Sequence, residues 1–379
     1  MPVRATIVSL GMVTAAVPVI LVSLLARRTR GLASDEVAEI SFKEDLNRSL
    51  ARGLLSILPL ETIRRFFKAR PVKSIMMSRR FKPFMDQLFI RVNSETCNGY
   101  WICKGPPGKP LVPKESDVVL LWFHGGGYCF GDPLRPAVNL LRVAEIAAAR
   151  GISMSIFSVE YTLAPAATFP SQQREAVAAY QYFLKDEGIP ADKIIMGGES
   201  AGAHLLLSCL MGPPDSLPRP KGALLLYPWV NLTNHSPTFE SNQHKDVLSK
   251  RLLDRCVERA IGERGRVDAL NLENLLKQWK PGTEKTWKGI LPAYTWVHVG
   301  SHDVFLHDVT TFVENARKDG ARVDLDIADK RPHAWNFAVD RDWVDLYCGL
   351  RPRTLVPVGM MPGSAAIAEG FFRVFHQGM

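Results

Sequence analysis

The patterning of this chain predicts an α/β fold, with a mostly parallel central sheet flanked by helices. From residue 90 onward, short apolar runs alternate with helical stretches, and several of those runs end at glycines. The composition, 46% hydrophobic and 22% charged, suits a large folded body and excludes a disordered tail, a collagen-like repeat and a polytopic membrane protein. A length of 379 residues leaves material for an N-terminal extension and an insertion besides one such unit.

The elements follow in order. Val118 to Phe123 is uninterruptedly apolar, as a parallel strand covered on both faces should be. Residues 136–150, rich in Ala and Leu, read as a helix, 152–161 as the next strand and 170–187 as the next helix. Ile194 to Gly197 is a further strand, leading into a helix over 201–211. Strands over 223–227, 293–299 and 323–327 and a closing helix over 365–375 complete the series. Residues 231–290, polar and helical, interrupt the alternation. They are expected to form a cap over the carboxyl edge of the sheet, within a body running over 91–379.

The first 90 residues are of another kind. Ala5 to Ala26 contains no charge, and its 22 residues would make about 33 Å of helix, roughly the thickness of a bilayer core. It runs into Arg27-Arg28-Thr29-Arg30, so residues 1–30 read as an uncleaved membrane anchor. A cleaved signal would have a shorter apolar stretch and a small-x-small site. The arginines after the span place the body on the cytosolic side. Three glycosylation triplets, starting at Asn47, Asn231 and Asn234, could be used only by a lumenal body. The side of the membrane is left open by these opposed signals.

Residues 31–90 read as a basic amphipathic arm. Ser34-Asp35-Glu36 forms an N-cap, and Leu46, Leu50, Leu54, Leu55 and Leu58 recur at helical spacing. Leu58-Pro59-Leu60 breaks the run, and Ile63, Phe66 and Phe67 follow among Arg64, Arg65, Lys68 and Arg70. Such a stretch lies on a membrane, covers an active site, or does both.

Charge supports this division. Residues 1–90 carry 15 Lys/Arg against 7 Asp/Glu, and the remainder 32 against 31. The body is therefore near neutral, which argues against a nucleic-acid partner and for anionic membrane lipids beside the arm. Six dispersed cysteines, with no CxxC and no His-paired spacing, exclude a disulfide scaffold and imply no metal centre. Only Cys97 and Cys103 are close enough in sequence for a local bridge.

The strongest chemical signal is Gly198-Glu199-Ser200-Ala201-Gly202 between a strand and a helix. A serine on a sharp strand-to-helix turn projects its hydroxyl out of the sheet, and the crowded turn requires small flanking residues. Ser200 is thus the candidate nucleophile. His124-Gly125-Gly126-Gly127 follows the strand 118–123. Its glycines allow close backbone approach, so Gly126 and Gly127 are candidate oxyanion donors, with the N–H of Ala201 as the third. A phosphate-binding loop is disfavoured, because no Lys-Ser/Thr follows and no GxGxxG occurs. His124 is expected to orient the loop.

A serine needs a base, and the base an orienting acid. Asp303 follows the strand 293–299 and His333 follows the strand 323–327, giving the order Ser, Asp, His that suits such a sheet. His302 and His307 compete for the base and Asp308 for the acid.

Together these motifs resemble the hormone-sensitive-lipase-like branch of the α/β-hydrolase superfamily over about residues 115–375. Val159-Glu160-Tyr161-Thr162-Leu163-Ala164-Pro165, Phe169-Pro170 and Tyr227-Pro228-Trp229 add to the likeness. The chain departs from it at Ala166, where that branch has an acidic residue. The resemblance implies the α/β-hydrolase fold and carboxylester hydrolysis without cofactor through an acyl-enzyme. In it Ser200 would be the nucleophile, His333 the base and Asp303 its orienter, with Glu199 supporting the loop. An anchor ahead of such a body is similar to the fungal steryl acetyl hydrolase group. That implies a short acyl group on a bulky apolar alcohol, a lipophilic ester as partner, and an enzyme of the endoplasmic reticulum membrane. Anchoring would raise the local concentration of a substrate that partitions into the bilayer. An amidase or formamidase on the same triad, and a non-catalytic ligand-binding module of the same fold, are the alternatives.

Overall fold

The computed structural model describes residues 2–31, 40–68, 70, 72–212, 217–262, 272 and 286–377. The expected cap at Ser34-Asp35-Glu36 and most of 263–285 in the insertion lie outside the described residues. The strands are β1 (Leu88–Asn93), β2 (Asn98–Cys103), β3 (Val118–Phe123), β4 (Met154–Val159), β5 (Ile194–Glu199), β6 (Gly222–Leu226), β7 (Thr295–Gly300) and β8 (Val323–Ala328). They form one sheet in the order β1-β2-β4-β3-β5-β6-β7-β8. From β4 to β8 all neighbours are parallel, while β2 joins both β1 and β4 antiparallel. The fold is the α/β-hydrolase fold.

Every residue of β3 to β7 is buried, so side chains on both faces of these strands are covered. Parallel alignment brings the carboxyl ends of β3, β5, β7 and β8 to one edge, where the loops carrying residues 124–127, 200, 303 and 333 emerge. One boundary differs from the sequence expectation. Residues 88–90, assigned to the helical arm, begin β1, where Leu88, Phe89 and Ile90 pack as a half-buried strand.

The helices up to the insertion are α1 (Pro2–Gly31), α2 (Phe42–Ile57), α3 (Leu60–Phe66), α4 (Val72–Met76), α5 (Ala137–Ala149), α6 (Ser171–Lys185) and α7 (Ala201–Met211). α8 (Thr238–Ser241) and α9 (Lys250–Ile261) lie within it. The Ser41 hydroxyl accepts the Glu44 N–H and caps α2, and Pro59 separates α2 from α3.

In α1, the stretch Gly11–Thr29 is long and apolar enough to cross a membrane, a property shared by anchors and signal sequences. Only 6% of it is buried against the protein. Its far end docks on α2: Ile20 packs where Gly53 has no side chain, and Arg27 and Arg28 both reach the buried Asp45 carboxylate.

Local packing bears on the other expectations. The six cysteines are free and buried, so the Cys97–Cys103 bridge does not form. Asn234 is fully buried, accepting from the Trp229 indole and donating to Asp254, so its glycosylation triplet is unavailable in the folded chain. The Asn231 amide donates to Asp308, while Asn47 is exposed.

The helix Pro362–Gln377 closes the fold by packing on α5, β6 and β7, with Gly370 against the buried Trp296 ring. A Cβ at Gly370 would lie 2.3 Å from two ring atoms. Alanine gains about 1 kcal/mol of helix propensity over glycine, but forcing a methyl into a filled core costs about 1–3 kcal/mol. Gly370→Ala is therefore expected to lower stability by about 1 kcal/mol net, read by guanidinium unfolding; a more stable variant would show that the ring can yield.

Candidate active site

Ser200 sits between β5 and α7 with φ 53° and ψ −120°, a backbone conformation costing on the order of 1–3 kcal/mol for a non-glycine residue. The turn fits because Gly202 lacks a side chain: a Cβ there would lie 2.2 Å from the Phe123 carbonyl oxygen. This close approach welds the elbow to the end of β3, from which the next loop departs. In that loop Gly126 has φ +118°, and a Cβ on it would lie 2.0 Å from the Phe130 oxygen. Gly126 and Gly127 line a cavity of about 340 Å³ together with Ser200 and His333. Ala201 is buried as the first residue of α7, where an N–H has no partner within its own helix. Gly126 and Gly127 thus share a cavity with Ser200, and Ala201 is its immediate neighbour at the start of α7.

His124 holds its loop in shape. Its Nδ1 pairs with the Gly125 carbonyl at 2.8 Å, its ring stacks on Tyr161, and its carbonyl accepts the Tyr161 hydroxyl. Burial pulls its pKa down to about 4, so it is neutral in a folded protein at ordinary pH. Glu199 is also buried, and desolvation raises its pKa despite the opposing field of Arg135 and a hydrogen bond from Tyr227.

His333 Nδ1 pairs with Asp303 Oδ2 at 2.9 Å, leaving Nε2 as the free ring nitrogen. The imidazole is wedged between Tyr227 and Phe305, with ring centroids at 4.6 and 5.1 Å. Asp303 is fully buried and also accepts the Phe305 N–H. Ser200 and His333 face the same cavity without a direct hydrogen bond, a contact that commonly tightens only when substrate binds. The competing groups point elsewhere. His302 Nδ1 pairs with Arg48, while His307 and Asp308 line a separate small cavity with Asn231.

Two further residues complete the site, neither read from the sequence. Asp246, in the insertion, is fully buried; its Oδ1 accepts the His333 N–H and its Oδ2 the Val304 N–H, both at 2.8 Å. It therefore ties together the loops after β7 and β8. No motif surrounds Asp246, so no signal in the sequence could single it out. Arg48 of α2 is buried and donates to the carbonyls of Lys245 and Lys330, with Glu44 beside it. Its contact with His302 makes it a brace on both catalytic loops. In sequence it is one more cation of a basic helix, paired at i,i+4 with Glu44 like a surface residue.

A family model described as the alpha/beta hydrolase fold matches residues 120–337, and the chain belongs to that family. An acetyl-hydrolase of Streptomyces hygroscopicus is 24% identical over 233 residues, 59% of this chain and 70% of that protein. Arylacetamide deacetylase of Bos taurus is 32% identical over 162 residues, 39% of this chain and 40% of its own length. The crystal structure of an esterase/lipase from an uncultured bacterium superposes with a TM-score of 0.63 at 21% identity. That match covers 89% of this chain and 99% of the other, a likeness in fold.

The charges around His333 carry a pH consequence. Burial disfavours the imidazolium, but Asp303, then Asp246 and Glu199, outweigh it and raise the His333 pKa above its ordinary value. A base must be neutral to accept a proton, so the acid limb of kcat/KM is expected above about 6.5. Burial and the neighbouring Asp303 push Asp246 itself up to about 7. Asp246→Asn removes a charge that raises His333, so the acid limb should move to lower pH. An unmoved limb in a pH–rate profile, with only a lower unfolding temperature, would reduce Asp246 to a structural tie.

Proposed function

We propose that this chain is a serine carboxylesterase that cleaves short acyl esters of bulky apolar alcohols. The observation that carries this is His333, paired with Asp303, lining one cavity with Ser200 and the glycine loop. Ser200 Oγ attacks the ester carbonyl carbon as His333 Nε2 takes its proton, and Asp303 stabilises the imidazolium. The carbonyl oxygen becomes an oxyanion facing the N–H groups of Gly126, Gly127 and Ala201. Collapse breaks the bond to the alcohol oxygen, which leaves with the proton from His333. Water then repeats the sequence on the acyl-enzyme, releasing the acid and restoring Ser200.

The cavity volume lies toward the small end of ligand pockets, about 300–1,000 Å³. Its wall includes Leu55, Phe67, Leu252, Leu253 and Phe337, which supports an apolar substrate. Anchoring by α1 in a membrane such as the endoplasmic reticulum suits a substrate that partitions into lipid, and sterol acetates are the narrower candidate. The name of the bovine relative favours one second reading, hydrolysis of arylacetamides on the same triad.

Ser200→Ala is expected to abolish fluorophosphonate labelling and to lower p-nitrophenyl acetate turnover by at least about 10⁴-fold; a fully active variant would overturn the assignment. Matched ester and amide substrates separate the two reaction classes. Lipid profiles of cells with the wild-type and Ser200→Ala enzymes test the sterol, where accumulation of acetylated sterols only with the variant is the expected result and an unchanged sterol fraction the contrary one.

A further inference from the structure

The catalytic cavity is apolar over most of its wall, yet three arginines also line it, Arg70, Arg135 and Arg341. Arg135 stands just before α5, and Arg341 follows the helix Trp335–Asp340. Both side chains are open to the cavity. Neither makes an ion pair or donates a side-chain hydrogen bond among the described residues. Other arginines of this region are engaged: Arg70 pairs with Asp345, and Arg80 grips both oxygens of Glu145.

The Arg135 guanidinium carbon sits over the Phe67 ring, 4.1 Å from its centroid, a contact that leaves its N–H donors unused. Burial disfavours its charge most, Glu199 favours it, and Arg341 opposes it more weakly. The cavity wall therefore carries two cations with unused donors, and its one carboxylate among the described residues, Glu199, accepts from Tyr227. A guanidinium fork with unused donors matches the oxygens of a carboxylate, sulfate or phosphate.

We propose that Arg135 and Arg341 form a subsite for an anionic group of the substrate. The preferred substrate is then an amphiphilic ester, with its scissile bond at Ser200 and a carboxylate or similar group carried by the rest of the molecule. This rests on the serine-esterase reading and favours an amphiphilic anionic ester over a neutral sterol acetate, because the apolar wall takes the body of the substrate while the arginine pair fixes its orientation. Arg135 and Arg341 act in binding and take no part in the proton transfers.

The test compares anionic esters with neutral counterparts of nearly the same shape on the full-length enzyme. 4-Acetoxybenzoate against its methyl ester probes the alcohol side, and p-nitrophenyl hydrogen adipate against its ω-methyl ester probes the acyl side. In at least one series, Arg341→Gln and Arg135→Gln should each lower the anionic-to-neutral ratio of kcat/KM by about tenfold or more, with the change in KM. Arg341→Lys, which keeps the charge and loses the fork, should fall between. The ratio is taken within one preparation, so partial misfolding of a variant cancels. A ratio unchanged in both series, with all four esters hydrolysed, would overturn the subsite and leave the esterase intact. Failure of the wild-type enzyme on all four would sink the esterase reading itself.

Discussion

An imidazole held against a fully enclosed carboxylate is the interaction on which the rest of this structure depends. A carboxyl as fully enclosed as that of Asp303 needs hydrogen-bond partners, and it has the Phe305 N–H and His333. Asp246 places a second carboxyl beside it, and burial together with the charge of Asp303 raises the Asp246 pKa. What holds the cluster together is backbone. Each oxygen of Asp246 receives an N–H from one of the two loops, so the group that burdens the electrostatics also fixes the distance between Asp303 and His333.

The N-terminal arm belongs to this arrangement and is more than a tether. An exposed ion pair contributes about 0–1 kcal/mol, whereas hydrogen bonds from a buried charged group contribute about 1.5–3 kcal/mol each. Arg48 is of the second kind, reaching carbonyls on both sides of the site. One turn earlier on the same helix, Asp45 receives Arg27 and Arg28 of α1. A single helix of 16 residues thus joins the apolar N-terminal segment to the catalytic loops.

The cavity owes its character to segments far apart in the chain. Leu55 and Phe67 come from the arm, Leu252 and Cys256 from the insertion, and Phe337 from beyond His333. The catalytic edge of the sheet would be open to water without the first two, since strands and turns supply the reacting groups but little of the wall. Selection among substrates is therefore a property of the packing of arm on insertion.

The sequence alone determined the parallel sheet, because strands buried on both faces must be apolar throughout, as Val118 to Phe123 are. It also determined the elbow at Ser200 and the glycine loop, since contacts as close as those of Gly202 and Gly126 admit no other residue. Asp303 and His333 were legible as residues after strands, though His302, His307 and Asp308 were equal in kind. Only the tertiary structure separated them, by turning His302 toward Arg48 and His333 toward Asp303. Asp246, Arg48 and the arginine pair left no pattern in the chain. Hydrophobic periodicity and tight turns are local constraints that every stretch of sequence records, while a contact between residues 48 and 302 is recorded nowhere until the chain folds.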